Sequence, residues 1–337
     1  MKTHRNIPFF VPHAGCPHCC VFCSQVKITG VRAERSPDEE IKELRELLEN
    51  SGKSEGIESR VAFFGGSFTA IERERMISLL SVADEYIKKG VASGIRISTR
   101  PDCIDEEVLG ILAEYGVTEI ELGVQSTDDK VLALSERGHT AADSFKAADM
   151  IIKKGFVFGG QMMVGLPGAT AASELQTAED IVKMGAKESR IYPTAVFKNT
   201  KLYDMTLSGE YVPLTTEEAV DRTAACFRVF LDNGVNVLKI GLHSSENLAA
   251  APFGATHPAL GELVKSKVYT DIITDLAGDC SGGELEITFP NKDISALTGN
   301  GSAGIKRIEA ATGANDVKII CADIPEYHPL VKARRKQ

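Results

Sequence analysis

The sequence predicts an α/β fold, a partial (β/α)6 TIM-like barrel followed by a small C-terminal α+β module. Three observations carry this. Short apolar runs alternate with amphipathic stretches of helical length as far as Ile240, the pattern of parallel strands joined by crossover helices. Glycine, proline and polar residues gather just after those runs, at the strand ends where a barrel holds its ligands. Beyond Pro258 the alternation gives way to a helix, a strand, a glycine-rich stretch and another strand. The expected division is 1–250 for the barrel and 251–337 for the module.

The elements follow in order. Ile7 to Pro12 is short, apolar and bounded by turn residues, as a buried first strand would be. Ser36-Pro37-Asp38-Glu39 is a helix start, with serine at the cap, proline at the first position and an acid at the third. Arg60 to Phe64 reads as the second strand and leaves through Gly65-Gly66-Ser67-Phe68-Thr69, where two glycines allow backbone N–H groups close to a ligand. A plain strand-to-helix turn explains the same residues. Helices are expected at Glu72 to Lys89, Asp105 to Tyr115, Asp129 to Ser135, Ala141 to Lys154, Ala172 to Met184 and Thr216 to Asn233. Strands are expected at Ile95 to Thr99, Glu119 to Val124, Phe156 to Val164, Arg190 to Thr194 and Val235 to Ile240.

Composition bounds the function. With 337 residues and 43% hydrophobic content the chain buries a full core. No run of about 18 apolar residues points to a membrane span, and the polar start, Met1 to Asn6, leads directly into a strand, so no signal peptide and a cytoplasmic location are expected. A net charge of -9 and 6% aromatic content without tryptophan argue against broad attraction to nucleic acid.

The chemistry centres on Cys16-Pro17-His18-Cys19-Cys20-Val21-Phe22-Cys23. Cys16, Cys20 and Cys23 have C-x3-C-x2-C spacing, which suits three irons of one 4Fe-4S cubane and leaves the fourth iron open to a small molecule. Two other readings compete. Cys19, His13 and His18 contribute to a possible zinc knuckle, which lacks a second C-x2-C pair, and a disulfide has no secretory context. Cys19 also fits a different triplet in place of Cys20. Cys103, Cys226, Cys280 and Cys321 have no paired spacing and read as small apolar groups.

This cysteine stretch resembles the signature of the radical S-adenosylmethionine (SAM) enzymes, in which the open iron chelates SAM and an electron from the cluster gives a 5'-deoxyadenosyl radical. Further strings narrow the resemblance: Gly65 to Thr69, Ser98-Thr99-Arg100-Pro101-Asp102, Glu121 to Ser126, Arg137-Gly138-His139-Thr140, Met162 to Gly168 and Ile191-Tyr192-Pro193-Thr194. Together, from Pro8 to Ile240, they are similar to the radical SAM domain of the Elongator catalytic subunit, which modifies wobble uridine in tRNA. The chain is expected to lack that subunit's acetyltransferase domain. It departs from Elongator at the cysteine spacing, which is like that of oxygen-independent coproporphyrinogen oxidase, and at Ser98, where both families usually carry glutamate.

The resemblance implies roles. Gly65, Gly66 and Ser67 hold the amino group of SAM, with Arg100 at the next strand end. Gln125 and Ser126 lie against its nucleoside, and Arg137 clamps its carboxylate through a bidentate pair. Glu121 joins this set if its register turns it inward. Gly165 and Leu166 pass under the adenine, while Tyr192 and His243 face the reaction chamber. His243 reads equally as a hydrogen-bonded structural histidine, and Lys239 is a candidate cation for an acidic substrate. In the tail, Ile294 to Ile308 looks like a KH module, whose G-x-x-G loop clamps single-stranded nucleic acid. Here Ser302 replaces the second glycine. A small α+β cap with a glycine-rich turn is the alternative.

The expected function is therefore reductive cleavage of SAM at a 4Fe-4S cluster, with an RNA base, in tRNA, as target and a flavodoxin or ferredoxin as electron donor. The alternatives are radical chemistry on a small metabolite or tetrapyrrole, and a non-catalytic zinc-containing RNA-binding protein.

Overall fold

A computed structural model describes residues 3–11, 16–24, 35–52, 57–242 and 246–334. Its centre is a seven-stranded sheet, every strand parallel to its neighbours. The strands are β1 (Thr3–Val11), β2 (Ile57–Gly65), β3 (Gly94–Thr99), β4 (Val117–Gln125), β5 (Val157–Val164), β6 (Glu188–Pro193) and, after a two-residue β7 (Ala195–Val196), β8 (Asn236–Ile240). The order β1-β2-β3-β4-β5-β6-β8 is sequential and β1 does not pair with β8, so the sheet is an open, partial barrel. Crossovers are made by α1 (Pro37–Ser51), α2 (Arg73–Lys88), α3 (Glu106–Glu114), α4 (Asp129–Leu134), α5 (Ala141–Lys153), α6 (Ala171–Lys183), α7 (Lys201–Ser208) and α8 (Thr216–Asp232).

Local chemistry explains the boundaries. Ser36 caps α1 in a capping box with Glu39, and Thr140, Thr170 and Thr215 do the same for α5, α6 and α8. Alternate strand residues such as Phe9, Phe63, Ile97, Ile120, Leu122, Phe158 and Ile191 point outward and are buried under the helices. The other face of each strand lines the lumen.

After a short α9 (Glu246–Ala249), β9 (Phe253–Gly254) pairs with β7. The helix α10 (Leu260–Ala277) then serves two cores. Leu260, Val264, Val268 and Ile272, spaced four apart, belong to the barrel core, whereas Tyr269, Ile273 and Ala277 belong to the core of the tail. The tail sheet has the order β11-β10-β12, with β10 (Glu284–Pro290) parallel to β11 (Asp316–Ala322) and antiparallel to β12 (Leu330–Arg334). Between β10 and β11 lies α11 (Ser295–Thr312), which contains the glycine-rich stretch where a G-x-x-G loop is expected. It is not straight. Gly301 and Ser302 have φ of 66° and 62°, and a Cβ on Gly304 would meet the Leu297 Cα at 2.9 Å. Seven residues of straight helix would separate those positions by about 10 Å. The element therefore folds back on itself at Gly301-Ser302, as two arms in contact.

Candidate active site

Gly65, Gly66, Ser67, Arg100, Gln125 and Ser126 stand at the C-terminal ends of β2, β3 and β4, and the cysteine group meets this edge through Arg100, Arg137 and Ser67. The group is anchored through Val21, which is buried against Val196, Leu202, Met205 and Tyr211. Its N–H donates to the Ser135 carbonyl at 3.2 Å and its carbonyl accepts from Leu202 N–H at 2.8 Å. His18 packs on Gly138, where φ is +73° and a Cβ would come within 2.3 Å of the imidazole. Only glycine leaves room for it.

Two guanidiniums face the thiols. Arg137 Nη1 lies 3.2 Å from Cys20 Sγ, and its Nη2 donates to the Gly123 carbonyl at 2.6 Å. Arg100 approaches the same sulfur at 4.0 Å, donates to the Arg137 carbonyl, and is fixed by a two-point pairing with Asp102 at 2.9 and 3.0 Å. The Ser67 backbone N–H donates to Cys16, and the Ser67 hydroxyl bonds Thr99 Oγ1 at 2.8 Å. Gly65 has φ +123° and a Cβ there would meet the Val11 carbonyl oxygen at 2.6 Å, so β1 and β2 close tightly just where the cysteine segment departs.

Desolvation pushes the Cys16 thiol up, against the pull of Ser67 and Arg100. Cys23 is pushed up to about 12 by desolvation and then by the neighbouring Cys20 and Cys16 thiolates. Burial and the neighbouring sulfurs oppose ionisation of Cys16 and Cys23, and a coordinating metal would hold such thiols deprotonated. Among the described residues no three His, Cys, Asp or Glu side chains crowd one point as a single ion requires. Three thiols within one short loop are the kind of donor set that a cubane takes at its separate corners. Cys20 rather than Cys19 is turned to the arginines.

At the end of β4 the backbone is strained. Gln125 has φ 65°, and Ser126 N–H donates to the Val124 carbonyl at 2.8 Å, a γ-turn of the rare positive-φ kind. The turn re-aims Gln125, whose Nε2 sits 2.8 Å from where a Gly123 Cβ would be. Gln125 Oε1 is buried without a protein partner. Ser126 is buried and accepts from Asp128 N–H at 3.1 Å.

Gly165 is held from both sides. Its N–H donates to Glu174 Oε1 at 2.6 Å and its carbonyl accepts from the Tyr211 hydroxyl at 2.5 Å. Arg222 pairs with both oxygens of Glu174 at 2.7 Å. Burial raises the Glu174 pKa, an effect opposed by Arg222. Leu166 is buried beside this clamp. The sequence reading missed Glu174, Tyr211 and Arg222. The signal was there for Glu174, a lone acid on the same helix face as the apolar Ala178 and Ile181.

Two expectations fare differently. Glu121 does turn inward, but both its oxygens are taken by Arg96 at 2.6 Å, Arg190 at 2.8 Å and Gln161 at 2.8 Å, so its carboxylate serves the lumen rather than a cofactor. Tyr192 is half-buried on the lumen face beside Arg190, with its hydroxyl pKa raised by burial. His243 lies outside the described residues.

Residues 10–181 match the radical SAM superfamily and residues 186–270 the radical SAM C-terminal domain. An uncharacterised protein of Methanocaldococcus jannaschii is 32% identical over 61% of this chain and 66% of its own. The tRNA uridine(34) acetyltransferase of the same organism is 33% identical over 37% of this chain and 24% of its own, so the chain spans only a part of these relatives. The structure of Methanocaldococcus infernus Elp3 superimposes with a TM-score of 0.63 at 21% identity, covering 80% of this chain and 64% of that one, a likeness of fold. No described helix is long and apolar enough to cross a membrane. With its first matched segment spanning more than half its length, this chain belongs to the radical SAM superfamily of enzymes.

Proposed function

We propose that the protein is a radical SAM enzyme acting on a base of tRNA, with Cys16, Cys20 and Cys23 as cluster ligands. The observation that carries the chemistry is the convergence of these thiols with Arg100, Arg137 and the Ser67 N–H at the strand ends. When bound, a 4Fe-4S cluster with one open iron supplies the electron that cleaves SAM. Arg137 and Arg100 place positive charge against the thiolates. Gln125 offers a buried acceptor to the nucleoside, and the Glu174–Arg222–Tyr211 clamp fixes the Gly165 backbone beneath it. The RNA substrate is supported by the relatives, which include tRNA uridine(34) acetyltransferases. The folded-back α11, a β-α-α-β arrangement with a glycine turn, supports a role for the tail in holding single-stranded RNA.

The test is anaerobic reconstitution, followed by dithionite and SAM, with 5'-deoxyadenosine measured with and without bulk tRNA. Formation that rises with tRNA is the expected result. Formation indifferent to tRNA would move the substrate to a small molecule, a reading that the net charge of -9 favours. Cys16→Ala, Cys20→Ala and Cys23→Ala should each abolish cluster assembly and Cys19→Ala should not. The reverse result for Cys19 and Cys20 would overturn the ligand assignment.

A further inference from the structure

Barrel lumens are ordinarily filled by branched apolar side chains. This one carries charges. On β4 the outward Ile120, Leu122 and Val124 are buried under helices while Glu119, Glu121 and Gln125 alternate inward. On β6 the inward residues are Glu188, Arg190 and Tyr192. Arg190 is held at two points by Glu121, Nε to Oε2 at 2.8 Å and Nη2 to Oε1 at 3.2 Å, which fixes the plane of its guanidinium. Its Cζ lies 5.2 Å from the centroid of the Phe64 ring, so an aromatic group backs one face. Phe64 is braced by Phe10, ring to ring at 6.1 Å.

The space beneath, between Glu121, Gly159, Glu188, Arg190 and Leu238, is too tight for a water molecule. Arg190 nevertheless keeps 13% of its side-chain surface exposed, and Tyr192, the next inward residue of β6 toward the strand end, hydrogen-bonds it. The plate is also tied up in ion pairs, with Lys239 of the neighbouring strand beside Arg190. Arg96 pairs with Glu121 at 2.6 Å and Glu188 at 2.7 Å, so two guanidiniums meet two carboxylates. An anion would have to compete with Glu121 for the in-plane donors. A flat, uncharged ring needs none of those donors and stacks on the part of the plate that stays exposed.

We propose that the Arg190 guanidinium, backed by Phe64 and held in plane by Glu121, is the stacking platform for a nucleobase turned out of its RNA stack into the barrel mouth. Guanidinium planes receive splayed bases in this way, and an enzyme acting on a base must extrude it. This rests on the RNA reading above and adds the subsite.

The test uses reconstituted full-length protein and two anticodon stem-loop RNAs, one with uridine at position 34 and one abasic there. Wild type should bind the uridine RNA about tenfold tighter or more, the range of one base stacked on one platform. Arg190→Lys keeps the charge and loses the plane, so the preference should fall to about twofold or less on that account while affinity for the abasic RNA holds. Phe64→Leu, which leaves the ion pairs intact, should lower the preference in the same direction and decides the matter if Arg190→Lys does not fold. Full preference in both variants would overturn the platform and leave the RNA reading standing. Equal loss of both RNAs in Arg190→Lys would make Arg190 a backbone charge and also overturn it. Wild type binding neither RNA would remove the RNA reading itself, and the platform with it.

Discussion

Replacing Gly65 with alanine tests how the cysteine segment is launched. Gly65 lies opposite Val11 in the β1–β2 register, and Val11 is five positions before Cys16. At φ +123° the added Cβ would stand 2.6 Å from the Val11 oxygen and 3.0 Å from its carbonyl carbon, both backbone atoms that no rotamer change can move. The disfavoured backbone conformation costs about 1–3 kcal/mol and the overpacking about 1–3 kcal/mol more. A total of roughly 2–6 kcal/mol is a large share of the typical ~5–15 kcal/mol of stability. At about 2–4 °C per kcal/mol, the thermal midpoint of the metal-free protein should fall by at least several degrees. Iron retained per chain after reconstitution should fall with it. Gly110→Ala is the control, since Gly110 lies within α3 with nothing within 4 Å of its would-be Cβ. There alanine should raise stability by up to about 1 kcal/mol. If Gly65→Ala melted with wild type, or if both substitutions shifted the midpoint in one direction, the close approach of β1 to β2 could not be what Gly65 provides.

Other consequences follow from the same geometry. Glu174→Ala leaves the Arg222 guanidinium and the Gly165 N–H without their acceptor, and should cost about 3–5 kcal/mol by calorimetry; Glu174→Gln, which keeps an oxygen at Gly165, should cost less, and equal losses would refute the clamp. His139 is 5% exposed, and burial, then Arg137 and Arg100, lower its pKa from 6.5 to about 4. The unfolded chain therefore binds the proton more readily, so this contribution is fully present above pH 6.5 and is lost as pH falls through about 4, to a total of roughly 3 kcal/mol. His139→Leu should narrow the gap between thermal midpoints at pH 7.5 and pH 5; an unchanged gap would show that His139 does not titrate this way.

How much of this was legible depends on the sequence distance over which each feature is decided. The strands were readable because their outward residues, such as Phe63, Ile97 and Ile120, are apolar for a reason local to each strand: helices cover them. The cysteine spacing was readable because three ligands within one loop are set by the loop itself. Glu121 could be placed on the lumen side only by register, and its partner could not be read at all, because Arg190 stands 69 residues away on a strand two places across the sheet. The same holds for the anchoring of Val21 by Leu202 and for the fold-back of α11, where two residues at positive φ turn what pattern alone reads as a glycine-rich stretch into two packed arms. A resemblance assigns roles by position along a strand and says nothing of what stands across the lumen. Here Ser98, where the related families carry glutamate, is 3.4 Å from Gln161, which also donates to Glu121. The departure at Ser98 thus sits at the edge of the Glu121–Arg190 cluster.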